Sequence, residues 1–275
     1  MKALPAFLVL ALAGCAAGAP PQAAIPPGAT YVAMGSSFAA GPGLGRAKAD
    51  APARCQRSAR NYATLLAEAL RLTLIDVTCG GATTTHVLGP WSELAPQIDA
   101  VTPDTRLVTI TIGGNDVNYV RNLMAGSCRS GETRCFPRAE ASEADWARDE
   151  ANMRAIVRAI RARAPGARIV LVDYLTLLPK NGSCAAVEMS AADLDASRAT
   201  AARLAALTAR VARQQGAELL SASAFSAGHT ACDAAPWSVG AAVTDPAAGG
   251  IAWHPNAPGM RAIADALAAR LAPAR

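Results

Sequence analysis

The sequence predicts a three-layer α/β/α domain built on a five-stranded parallel sheet. Short apolar runs recur five times along the chain, and stretches of helical periodicity separate them. One of the runs, Leu107–Ile112, is β-branched and unbroken, as a strand buried on both faces should be. Strand and helix in steady alternation is the pattern of a parallel sheet covered on both sides.

Taken in order, Tyr31–Met34 is the first strand, and it stops at Gly35. After a loop poor in apolar residues (Gly41–Cys55), Ser58 is placed to cap a helix carrying Tyr62, Leu65, Leu66 and Leu70 on one face. Leu74–Val77 is the second strand and runs into Cys79-Gly80-Gly81. Ile98 lies on a short helix after Pro96, and Leu107–Ile112 is the third strand. A polar loop between Arg121 and Arg138 leads to Ser142 and Asp145, a capping box opening a helix whose core stripe is Met153, Ile156, Val157 and Ile160. Ile169–Val172 is the fourth strand. Ser190 and Asp193 repeat the cap before Leu204, Leu207 and Val211, and Gly216 ends that helix. Glu218–Leu220 is the fifth strand, and Asn256 caps a last helix burying Met260, Ile263, Leu267 and Leu271.

The first fourteen residues, MKALPAFLVLALAG, hold one lysine and an apolar run too short to span a membrane, which is the pattern of a signal peptide. Leu12-Ala13-Gly14-Cys15 resembles the bacterial lipobox, whose cysteine is acylated and becomes the new N-terminus. Residues 15–28 are an Ala- and Pro-rich tether, and residues 29–275 suit one domain with a sizeable core. The chain has 26 Lys and Arg against 21 Asp and Glu, a net charge of +5 spread along its length. No basic run interleaved with aromatics occurs, which argues against a nucleic-acid partner.

Seven cysteines are present. With Cys15 lipidated, Cys55, Cys79, Cys128, Cys135, Cys184 and Cys232 remain, an even set that argues for three disulfides in an exported chain. The absence of a Cys-x-x-Cys pair and the three histidines argue against a metal site. No cofactor is expected, and a monomer is.

Two hydroxyls, Ser36 and Ser37, follow the first strand, at the point of an open α/β sheet where ligands bind. Alone they read as a serine-rich turn. Three more blocks follow: TCGGATTT (Thr78–Thr85), TITIGGNDVNY (Thr109–Tyr119) and GIAWHPNAPG (Gly250–Gly259). The four blocks, in this order, resemble those of the SGNH (GDSL-type) hydrolases, over Thr30 to Leu271. CQRSARNY (Cys55–Tyr62) and GHTACDAAPW (Gly228–Trp237) are most similar to secreted, disulfide-bonded actinobacterial lipases and esterases of that family.

The resemblance implies a flavodoxin-like α/β/α fold and cofactor-free ester hydrolysis. It maps the nucleophile to Ser37, with a one-residue slip to Ser36 as the alternative, and the base to His254, directly before a helix. The two other histidines, His86 and His229, lie in loops outside that block. The oxyanion donors it implies are the Ser37 and Gly81 backbone N–H groups, with Gly80 as an alternative to Gly81, and the Asn115 side-chain amide. It also implies the sequential disulfides Cys55–Cys79, Cys128–Cys135 and Cys184–Cys232.

The chain departs from the family pattern twice. Ser36 stands where the family has aspartate, and Ile251 stands where it has the aspartate of the triad. The Ile251 carbonyl is therefore expected to orient His254, with Asp245 as a substitute. The function expected is that of an exported, lipid-anchored esterase or lipase of the cell envelope, at the outer membrane or cell surface. Its partners would be an ester substrate and, through Cys15, a membrane. The alternatives are a carbohydrate O-acetylesterase of the envelope and a non-catalytic envelope-binding lipoprotein. Phe38, Trp91, Trp237 and Trp253 are candidates either for an acyl pocket or for the core.

Overall fold

Alternate residues of the central strands feed two separate cores, one on each face of the sheet. In the computed structural model, which describes residues 24–128 and 135–272, Val32 and Met34 join Val108, Ile110, Ile169 and Leu171 on one face. Tyr31 and Ala33 join Leu107, Val170 and Val172 on the other. Residues 1–23, which hold the expected signal peptide, Cys15 and most of the expected tether, fall outside the described residues.

The elements are β1 (Thr30–Gly35), α1 (Ser37–Ala40), α2 (Tyr62–Leu70), β2 (Thr73–Asp76), α3 (Thr84–Leu88), β3 (Thr105–Thr111), α4 (Tyr119–Gly126), α5 (Glu143–Arg163), β4 (Arg168–Val172), α6 (Ala191–Gln215), β5 (Glu218–Leu220), α7 (Ala222–Phe225) and α8 (Ala257–Leu271). Helices α2 and α8 cover the Tyr31 face, while α5 and α6 cover the Val32 face. The strand order is β2-β1-β3-β4-β5, with every neighbouring pair parallel. This order reverses direction between β1 and β3, so a crevice opens there beyond the strands' carboxyl ends.

The caps at Ser142, Ser190 and Asn256 sit where the sequence places them. Each side chain accepts a backbone N–H of the first turn. Ser58 does not cap α2. Its hydroxyl donates to the Leu44 carbonyl at 2.9 Å and accepts the Arg60 N–H, which fixes the preceding loop. Asn61 caps the helix instead, accepting the Thr64 N–H at 3.0 Å. The segment after Pro96 is a single 3₁₀ turn, Gln97–Ala100.

The three disulfides join Cys55 to Cys79, Cys128 to Cys135 and Cys184 to Cys232. Among the described residues no helix is long and apolar enough to cross a membrane, and no group of three or more His, Cys, Asp or Glu could hold a metal ion.

Candidate active site

Strand β1 ends on a residue that must be glycine. Gly35 has φ +130°, and a Cβ there would lie 2.3 Å from the Thr111 carbonyl oxygen. Both of its backbone groups are held by one side chain: Gln97 accepts the Gly35 N–H at 2.7 Å and donates to the Gly35 carbonyl at 3.1 Å. The chain then turns through Ser36 into the four-residue helix α1, whose first residue is Ser37. At the first position of a helix the N–H has no intrahelical acceptor, and the Ser37 N–H bonds to nothing else among the described residues.

His254 comes from the far end of the chain and meets this turn. Its Nε2 lies 2.8 Å from Ser37 Oγ, across 217 residues of sequence. Its Nδ1 lies 2.8 Å from the Ala252 carbonyl oxygen. A carbonyl can only accept, so Nδ1 carries the proton and the Nε2 lone pair of the neutral ring faces the Ser37 hydroxyl. His254 is buried, and that burial pulls its pKa down to about 4, partly offset by the Ala252 bond. The ring is therefore neutral and able to accept a proton across the ordinary pH range.

The Ile251 carbonyl does not orient the histidine. It closes a turn by accepting the His254 backbone N–H at 3.2 Å. Trp253, the third residue of that turn, has φ +60° and is fully buried, with its indole N–H donating to Ser127 Oγ at 3.0 Å. Holding a tryptophan at positive φ costs strain that its burial must offset. The result is that the Ala252 carbonyl, not that of Ile251, lies against the imidazole. Asp245 does not substitute either, since it is exposed and its carboxylate accepts the Ala247 N–H of its own turn. A strand-like segment anchors the loop: Val239 N–H donates to the His254 carbonyl and Trp253 N–H to the Gly240 carbonyl.

Two more segments complete the crevice. Gly80 spends its N–H on the Cys55 carbonyl at 2.9 Å, beside the Cys55–Cys79 disulfide. The Gly81 N–H has no partner among the described residues, so of the two glycines Gly81 is the one with a donor to offer. Asn115 donates one N–H of its amide to the Ala82 carbonyl at 2.8 Å, which ties its loop to the Gly81 loop. The other N–H of the same group remains for a ligand. Asp116, next in sequence, reinforces the tie by accepting the Thr84 N–H at 3.0 Å.

Of the remaining candidates, Phe38 packs against the His254 ring at 5.2 Å between centroids. Trp237 stacks on His229, whose Nδ1 meets the Ala235 carbonyl, and both lie apart from Ser37 in their contacts. His86 stacks on Trp91 and closes the α3 cap by accepting the Thr83 N–H.

Gln97 is absent from the sequence reading, and Asp116 and Ala252, though inside two of its blocks, are given no role there. Gln97 and Asp116 act through pairings between distant segments. For Ala252 the one available signal was the spacing Ile251-Ala252-Trp253-His254, which fits a turn closed by Ile251.

Asp149 on α5 lies behind this crevice. It is fully buried, has no hydrogen-bond partner among the described residues, and a Cβ on Gly113 would come within 3.0 Å of both its oxygens. Burial, with added repulsion from Asp116 and Glu150, raises its pKa to about 8. The folded chain thus keeps a proton that the unfolded chain releases above pH ~4, so stability falls as pH rises from ~4 to ~8. Asp149→Asn should raise Tm by roughly 5 °C or more at pH 8 and leave it near the wild-type value at pH 4, as read by thermal melts at the two pH values.

Residues 33–262 match the GDSL-like Lipase/Acylhydrolase family. Lipase 2 of Streptomyces coelicolor is 34% identical over 275 aligned residues, spanning 94% of this chain and 90% of that protein. A lipase of Streptomyces rimosus is 34% identical over 209 residues, 75% of each chain. The crystal structure of the extracellular lipase from Streptomyces rimosus matches with a TM-score of 0.71 at 28% identity, covering 88% of this chain and 99% of that one. The chain, with its five parallel strands and its serine and histidine brought together from opposite ends of the sequence, belongs to the GDSL-like lipase/acylhydrolase family of ester hydrolases.

Proposed function

We propose that this chain is an exported, lipid-anchored esterase or lipase that cleaves carboxylic esters through an acyl-enzyme on Ser37, with His254 as the base. The observation that carries the reading is the 2.8 Å contact between His254 Nε2 and Ser37 Oγ, with the opposite ring nitrogen held by a carbonyl.

In the first step Nε2 takes the Ser37 proton as Oγ bonds to the ester carbonyl carbon. The carbonyl oxygen gains negative charge and is met by the Ser37 N–H, the Gly81 N–H and the free N–H of the Asn115 amide. The new imidazolium has the Ala252 carbonyl on one side and the oxyanion nearby, which together offset the burial that disfavours its charge. It then gives its proton to the leaving alkoxide, the C–O bond breaks, and the alcohol departs. Water enters, gives a proton to Nε2 as its oxygen attacks the acyl carbon, and His254 returns that proton to Ser37 as the acid leaves.

A carbonyl in place of the usual carboxylate fixes the same tautomer and stabilises the imidazolium less. The deficit is smaller than the loss of about 10⁴ seen when a triad aspartate becomes an amide, because that change favours the wrong tautomer.

An apolar acyl group fits the surroundings better than a sugar. A cavity of about 400 Å³ has Val77, Trp91, Leu94, Pro96 and Ala100 among its walls, with Arg57, His86, Gln97 and Asp99 beside them. It adjoins the Gly81 loop through Trp91, whose ring edge would lie 3.3 Å from a Cβ on Gly81. Export and anchoring are supported by the apolar leader ending in Leu12-Ala13-Gly14-Cys15 and by three disulfides, which persist in oxidising compartments.

The test is hydrolysis of a series of p-nitrophenyl esters from acetate to palmitate beside an acetylated xylan. Turnover of the acyl esters, extending beyond acetate, is the expected result. Activity confined to the acetylated sugar would favour the carbohydrate acetylesterase, and no activity on any ester would favour a binding protein.

A further inference from the structure

Tyr174, two residues beyond the end of β4, is fixed between two of the segments that carry the proposed oxyanion donors. Its hydroxyl oxygen accepts the Gly114 backbone N–H at 2.9 Å, immediately before Asn115. It also lies 3.4 Å from the Ser36 hydroxyl, immediately before Ser37. The second contact is long for a hydroxyl pair and contributes less than the first. The ring is buried, packs on Phe38 at 4.5 Å and meets Tyr119 edge-on at 5.9 Å. The approach to the glycine is close enough that a Cβ on Gly114 would come 2.7 Å from the Tyr174 oxygen, so no larger residue fits there without displacing the ring.

The direction of the hydrogen bonds follows from the chemistry of the group. A phenol has one proton, and burial pushes the Tyr174 pKa above its ordinary value, so the hydroxyl stays neutral. Its oxygen already accepts from Gly114, which leaves its own O–H to point toward Ser36 Oγ. Ser36 is itself buried, and its backbone N–H is taken by the Thr111 carbonyl. One hydroxyl thus ties the turn after β3 to the turn after β1 from behind, at positions i−1 to both Asn115 and Ser37.

We propose that Tyr174 is a positioning residue for ester hydrolysis: it sets the spacing between the Ser37 N–H and the Asn115 amide, the two donors that close on the oxyanion. The proposal rests on the acyl-enzyme reading above. Tyr174 touches neither the substrate nor the reacting atoms. An oxyanion hole acts because its donors are fixed before charge develops. Loosening their spacing therefore weakens the transition state more than the bound ester and lowers kcat rather than raising KM.

The test compares Tyr174→Phe with Tyr31→Phe. Both remove a buried tyrosine hydroxyl. That of Tyr31 bonds Thr109 Oγ1 at 2.6 Å in the middle of the sheet, away from the crevice. Tyr174→Phe should lower kcat about tenfold with KM within about twofold, and slow phosphylation of the enzyme by paraoxon in parallel. Tyr31→Phe should leave both near wild type at a comparable loss of Tm.

Amide hydrogen exchange supplies a readout that does not depend on turnover. The Gly114 amide should be protected in the wild type, and its segment should exchange faster in Tyr174→Phe but not in Tyr31→Phe. Unchanged kcat in Tyr174→Phe, an equal loss in both variants, or an unprotected Gly114 amide in the wild type would overturn the proposal. A wild type inert toward every ester would overturn the acyl-enzyme reading and this proposal with it. An active wild type that loses turnover on Ser37→Ala but not on Tyr174→Phe would overturn this proposal alone.

Discussion

Ser37→Ala should abolish ester turnover, with a loss on the order of 10⁴–10⁶ in kcat. In the proposed mechanism the hydroxyl is the atom that bonds to the acyl carbon, so no neighbouring group makes up for it. Ser36 does not take over. It is buried, and its hydroxyl has Tyr174 rather than an imidazole for a partner. The change removes only one oxygen from a position whose hydrogen-bond partner is the His254 ring, so Tm should move by a degree or two at most. His254→Ala should cost about as much as Ser37→Ala, and the double variant little more than either, because the two side chains act as a unit. Steady-state assays on a short-chain p-nitrophenyl ester, with melts as the folding control, read all three. A Ser37→Ala enzyme retaining a tenth of its activity would move the chemistry elsewhere.

Asn115→Ala carries the second large effect, a fall of about 10²–10³ in kcat with little change in KM. The amide offers a neutral N–H that needs no counter-charge, and its value appears only as the carbonyl oxygen becomes negative. Because the same nitrogen donates to the Ala82 carbonyl, the variant also releases one tie between the two loops. Asn115→Asp removes both N–H donors without changing the volume of the side chain. It replaces a donor with an acceptor and a charge of the wrong sign, so it should be at least as inactive as the alanine. An Asn115→Asp enzyme with near wild-type turnover would show that neither N–H of the amide is needed for catalysis.

The three central strands were legible because each is mainly a run of apolar or β-branched residues buried on both faces, whereas edge strand β2 has Thr73 and Ile75 exposed. In those three, alternate positions therefore gave no polar interruption, and the runs stood out. Helix caps were legible where serine is followed by aspartate three residues on, as at Ser142 and Ser190. They were not at Ser58, where a serine of the right type is spent on a loop carbonyl and Asn61 does the capping. The six cysteines beyond Cys15 argued for three disulfides, but the pairing came only from the resemblance to a known family.

Ser37, Gly81, Asn115 and His254 could be singled out because each lies in a short block with its own glycines or proline. What local sequence did not encode is how the blocks are held against one another. Gln97 on Gly35, Asp116 on Thr84 and Tyr174 on Gly114 are contacts across 62, 32 and 60 residues, and nothing near any of them marks the partner. The choice of Ala252 over Ile251 turns on the positive φ of Trp253, a conformation that composition would assign to a glycine or asparagine. The burial of Trp253 decided it.

The central claim is that the hydroxyl of Ser37 is activated by His254, and covalent labelling tests it most directly. Wild-type protein treated with a fluorophosphonate, digested and mapped by mass spectrometry should carry one adduct, on Ser37, and the His254→Ala variant should label far more slowly. An adduct on Ser36, or equal labelling with and without His254, would contradict the account.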